Sequence, residues 1–151
     1  MFVGLEVRES SKATRAATDA EIAAQFVALN TTMYASPELA GAFVEENDKG
    51  HPSLTSGESQ FVLQAFYRAL FHVWSNAHRQ HLNGTVNPLL FAAVTQEIVA
   101  HAGPESPDDS PKINASRRLM QWAWGTERFI YNPVFQEFVD SILAAKHEEV
   151  G

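Results

Sequence analysis

Three helix entrances punctuate this chain: Ser36-Pro37, Asn87-Pro88 and Asn132-Pro133 each set a capping side chain directly before a proline. The cap oxygen accepts a free backbone N–H of the first helical turn, and proline, which has no N–H, leaves nothing unsatisfied at the first helical position. The apolar stretches that follow are helix-length, and no alternating strand pattern, repeat period or low-complexity tract interrupts them. The predicted fold class is all-α, an irregular bundle of about six helices with a long N-terminal helix.

Residues 3–35 contain no proline and only Gly4, with Ile22, Phe26 and Met33 as the bulkier apolar contacts. At 1.5 Å per residue this first helix would span about 50 Å, more than a compact domain of this size needs, so its first turns are expected to project. A second helix is predicted from 37 to about 46. The third opens at Thr55-Ser-Gly-Glu58, which has capping-box spacing, and closes at Asn83-Gly84, where glycine supplies a left-handed residue. Its apolar positions, Phe61, Ala65, Phe66, Ala69, Leu70, Val73, Trp74 and Ala77, recur every three or four residues and mark it as central. Helices over about 88–102, 114–130 and 133–147 follow. The stretch 103–112, with Pro104, Pro107, Pro111, Asp108 and Asp109, is expected to be an exposed, mobile loop.

A chain of 151 residues with 45% hydrophobic and 11% aromatic side chains can bury one core and is too short to expect two. It has no cysteine, which removes disulfides, thiolate nucleophiles, thiolate zinc sites and Fe–S clusters. The net charge of −7 argues against a general nucleic-acid role, because phosphate binding draws on clustered Lys and Arg. Residues 1–15 depart from that balance: Arg8, Lys12 and Arg15 outnumber Glu6 and Glu9. Residues 1–7 are apolar apart from Glu6, yet far short of the roughly 20 residues a membrane span requires, and they lack the layout of a signal peptide.

No motif specifies chemistry. His78 and His81 are spaced i, i+3, but neither Glu-x-x-His nor His-Glu-x-x-His occurs, and the pair is expected to be solvated near the end of the third helix, where His⁺ complements the dipole. His72 falls among core positions and is expected to be a hydrogen-bonded packing residue. The carboxylate pairs Glu45/Glu46, Asp108/Asp109 and Glu148/Glu149 diverge by about 100° on a helix, too far to work as facing acid and base. No nucleophile elbow, phosphate loop or dinucleotide fingerprint is present. No catalytic residue, cofactor or metal is therefore assigned. Trp122 and Trp124 lie about 200° apart on their helix, so one of them is expected to face a second surface, with Trp124 as the exposed anchor, unless a C-terminal hairpin covers both.

At Phe2-Val-Gly-Leu-Glu-Val-Arg8, Ser10, Ser11 and Thr14-Arg-Ala-Ala-Thr18, the chain resembles a group of uncharacterised bacterial proteins in which such a stretch is the exit of one N-terminal membrane helix. The resemblance continues through Leu54-Thr-Ser-Gly-Glu58, the aromatic helix from Phe61 to Trp74, Arg79-Gln-His-Leu-Asn-Gly84, the Trp122 and Trp124 region and Phe135-Gln-Glu-Phe-Val-Asp140. It implies a single membrane helix carrying a small helical domain, with no activity to transfer. The sequence departs from that group in lacking the upstream apolar span and in placing Trp74-Ser75-Asn76 where the group tends to have an acidic residue.

If a span precedes residue 1, the cations just beyond it place the domain on the cytoplasmic side of a bacterial inner membrane; otherwise a cytoplasmic location is expected. The resulting expectation is a non-enzymatic accessory or interaction module that meets a membrane surface or a membrane-protein complex. Residues 1–15 would be its contacting segment and 16–151 one helical domain. Phe2, Val3, Leu5 and Val7 would be the apolar contacts, Arg8, Lys12 and Arg15 the headgroup contacts, and Trp124 the anchor. Two alternatives stand beside it: a soluble homo-oligomer that pairs through the first helix, and a metal-dependent or acid-base enzyme using His72, His78 and His81.

Overall fold

The computed structural model describes residues 2–49 and 57–145, with the side chains of 2–7, 33, 34 and 45–49 outside the description. Among these residues six α-helices follow in order: α1 (Phe2–Ala35), α2 (Pro37–Lys49), α3 (Gly57–Leu82), α4 (Pro88–Val99), α5 (Pro111–Glu127) and α6 (Pro133–Ala144), with a 3-10 turn, Arg128–Ile130, between the last two. The all-α bundle with a long first helix is the fold the punctuation predicts.

The caps perform as the sequence requires. Leu39 N–H donates to Ser36 Oγ at 3.2 Å, Leu89 N–H to Asn87 Oδ1 at 2.9 Å and Phe135 N–H to Asn132 Oδ1 at 2.9 Å. Gly84 closes α3 at φ 71°. The Thr55 end of the predicted capping box lies outside the described residues.

Two expectations need correction. A fourth cap of the same kind, Ser110-Pro111, starts α5 three residues earlier than predicted, with Ile113 N–H donating to Ser110 Oγ at 3.2 Å. The segment before it is tied down along its length. Asn114 brackets Ser106, accepting its N–H at 3.0 Å and donating to its carbonyl at 2.8 Å, and Gln121 donates to the Gly103 carbonyl at 3.2 Å. The buried Arg117 pairs with Asp109 and reaches the Pro104 carbonyl, while Arg118 pairs with Glu105. Prolines punctuate this stretch, and the first three turns of α5 supply the side chains that hold it.

α3 is the central helix, burying Leu63, Tyr67, Leu70, Phe71, Trp74, Ala77 and His78. Its aromatic side meets α5 and α6 edge-on: Phe71 lies 5.1 Å from Trp124, and Phe135 lies 5.8 Å from Trp74 and 5.6 Å from Trp124. Edge-to-face contacts at these separations set the negative face of one ring against the positive edge of the next. Phe43 closes α2 onto the other flank through Phe66 at 5.7 Å.

Candidate interaction surface

Along α1 every side chain from Arg8 to Ala17 is exposed, and Ile22 is the first to be fully buried, followed one turn later by Phe26. The helix meets the body at the corner between α3 and α4. Arg15 Nη2 donates to the Gly84 carbonyl at 3.1 Å, and the Asn87 N–H donates to Asp19 Oδ1 at 2.7 Å. Residues before Arg15 therefore run on beyond the corner for about 20 Å of helix. The corner also leaves Leu82 and Leu89 uncovered, the latter 79% exposed. Arg8 and Lys12 stand on the projecting length, while Arg15, still exposed, is engaged by the corner's backbone. The side chains of Phe2, Val3, Leu5 and Val7 lie outside the described residues. No described helix is long and apolar enough to cross a membrane.

Trp124 does not share this surface. It is buried between α3 and α6, stacked on Tyr131 at 5.7 Å, with its indole N–H donating to Asp140 Oδ1 at 2.8 Å. That hydrogen bond is what allows a polar-tipped ring to be taken out of water. Trp122, half-buried against the core, is also covered, so the pair supplies no exposed anchor.

The expectations for His72 and His78 are exchanged, while His81 is exposed near the end of α3 as expected. His72 is exposed on the outer face of α3, its ring 5.3 Å from Tyr131. His78 is buried, stacked on Phe138 at 4.3 Å and bordered by Phe91 and Phe135, while His81 stacks on Phe91 at 4.2 Å. The three therefore do not converge, and among the described residues no group of three His, Asp or Glu side chains is placed to hold a metal ion.

Burial, and secondarily the neighbouring His81, pushes the His78 pKa below its ordinary value of 6.5. The unfolded chain then binds the proton more readily, so stability is full above the unfolded pKa and declines as pH falls through 6.5 toward the folded value. In urea titrations the unfolding midpoint is expected to drop between about pH 7.5 and 5.5, and His78→Leu should flatten that drop. A wild-type midpoint unchanged over this interval would contradict the neutral, buried state.

A second polar assembly, unmarked in the sequence, lies where α5 meets α3. Glu127, 2% exposed, receives Arg68 Nε on Oε2 at 3.0 Å, Arg68 Nη2 on Oε1 at 2.8 Å, and Gln64 Nε2 on Oε1 at 3.0 Å. These bonds hold its carboxyl below the usual carboxylate range against the opposing effect of burial. Tyr131 Oη completes the cluster by donating to the Arg68 carbonyl at 3.4 Å. Both oxygens of Glu127 are engaged by protein donors at 3.0 Å or less, the arrangement of a structural clamp between α5 and α3.

Comparison with known protein families, with curated proteins and with solved structures finds no match in any of the three.

Proposed function

We propose that this chain is a non-enzymatic helical module that docks on an anionic membrane surface, at the cytoplasmic face of a bacterial inner membrane, through the projecting start of α1 and the α3–α4 corner. The observation that carries this reading is the run from Arg8 to Ala17, ten exposed helical residues that hold Arg8 and Lys12 on the projecting length and Arg15 at the corner, in a protein whose net charge is −7. An acidic protein is repelled by anionic lipid except where its cations are gathered, and each Lys or Arg held near such a surface contributes about 1 kcal/mol. Leu82 and Leu89 give the corner apolar side chains to set among the headgroups.

The test is flotation with vesicles. The full chain is expected to float with vesicles containing phosphatidylglycerol and to remain below with neutral phosphatidylcholine vesicles. Arg8→Glu combined with Lys12→Glu should weaken partitioning by about 30-fold or more, with further loss at high salt. Both residues are exposed, so unchanged circular dichroism should accompany that loss. Wild-type protein that stays in the soluble fraction with both vesicle types would remove the proposal.

A further inference from the structure

We propose that the outer face of α3 is an isologous interface on which a second copy of this chain packs antiparallel, with the two-fold axis passing by Ala65. Positions 58, 61, 65, 69 and 72 are three, four, four and three residues apart, a spacing that keeps to one face of the helix and is symmetric about 65, and Glu58, Phe61, Ala65, Ala69 and His72 are all exposed. The seam runs over the half of α3 remote from the corner at Leu82, so the inference stands independently of membrane docking.

The surface has both halves of its own complement. Phe61 protrudes, 73% exposed, and next to it lies a shallow hollow of about 400 Å³ lined by Phe61, Gln64, Ala65, Arg68, Ala69 and His72. In an antiparallel pair centred on Ala65, a position n residues before the axis meets the one n residues after it. Phe61 then faces Ala69 of the partner subunit, a large side chain over a small one, and Glu58 faces His72 of the partner subunit, a carboxylate over a ring that can donate to it. Both relations occur twice by symmetry, as an isologous contact requires. A seam with a knob but no hollow, or with charges of one sign at both ends, would not close on itself in this way.

The hollow is formed in advance, because Glu127 holds the Arg68 fork and the Gln64 amide against the body, so little side-chain freedom is lost on association. Phe129 and Ile130 stand exposed on the short turn between Glu127 and Tyr131, the two points at which that segment is fastened to α3, and Val134 follows at the start of α6.

Sedimentation velocity on the full chain over a concentration series is expected to show a monomer–dimer equilibrium. Phe61→Glu should weaken dimerisation at least tenfold without loss of helical content. Glu58→Lys should weaken it less, and adding His72→Glu should restore it, since the register pairs these two positions across the axis. The natural chain has no cysteine, so Ala65→Cys should yield an oxidised dimer while Leu89→Cys stays monomeric on a non-reducing gel. A monomeric mass for the wild type at every concentration would overturn the proposal, as would a dimer that withstands Phe61→Glu or one cross-linked through Leu89→Cys.

Discussion

Phe135→Ala is expected to lower the unfolding free energy by about 3–5 kcal/mol, the range for deleting a fully buried phenylalanine ring. Phe135 has no exposed surface and occupies the point where three elements meet: its ring lies 5.8 Å from Trp74 and 5.6 Å from Trp124, both edge-on, and 5.4 Å from Tyr131. α6, a helix of 12 residues, is too short to hold together without packing, and this ring, with Phe138 and Val139, fixes it to the body. Its loss removes the transfer energy of the ring and opens a cavity among aromatic neighbours that cannot collapse without leaving their own edge contacts. For a chain of this length each kcal/mol moves the melting temperature by roughly 2–4 °C, giving a fall of about 10 °C. Val27→Ala, at a site 64% exposed, should change stability by less than about 0.5 kcal/mol. Equal midpoints for Phe135→Ala and Val27→Ala in urea would show that α6 is not held by this ring.

The helices were legible because their boundaries are local chemistry. A cap oxygen two or three residues from its N–H partner depends on nothing distant, and neither does the left-handed glycine at position 84. Ser110-Pro111 uses the same device and was obscured by its neighbours: with Pro104, Pro107 and two aspartates alongside, it looks like one more turn signal. The exposed start of α1 was also legible, from the length of the helix against the size of the core.

Side-chain placement around α3 was not legible, because its apolar positions wrap most of the helix and leave the covered face to be chosen by what packs on it. His72 and His78 lie six residues apart, about 240° around the axis, and either can be read as inward until α6 is known to lie over His78. Trp124 fails for the same reason. Its burial depends on Asp140, sixteen residues away on the next helix, and nothing adjacent to Trp124 announces that partner. Glu127 was missed because a lone glutamate near a helix end is ordinarily solvated, and the Arg68 and Gln64 that bind it belong to a helix about sixty residues earlier.

The second large effect is expected at that carboxylate. Glu127→Ala removes a buried acceptor of three hydrogen bonds and should cost about 2 kcal/mol at neutral pH, within the range for bonds to charged groups and discounted because half-exposed Arg68 regains water. The dependence on acid separates charge from packing. The Glu127 carboxyl titrates below its ordinary 4.5 in the folded protein, chiefly through the hydrogen bond from Arg68, so the unfolded chain takes up its proton first. Its stabilisation is complete above 4.5 and fades as pH falls through the folded value. The gap between wild type and Glu127→Gln should therefore be open at neutral pH and close in acid. Asp140, lowered by Arg128 and Trp124, acts in the same direction, so the comparison is best made in an Asp140→Asn background. Arg68→Ala should destabilise at least as much as Glu127→Ala, because it strands a charge in the interior with Gln64 alone, and the double variant should cost less than the two singles together. Wild-type stability for Glu127→Ala at neutral pH would contradict the clamp. Because the clamp also fixes Arg68 at the floor of the α3 seam, Glu127→Ala should weaken self-association from a position that touches no second copy. A variant that loses stability yet dimerises at full strength would separate the clamp from the interface.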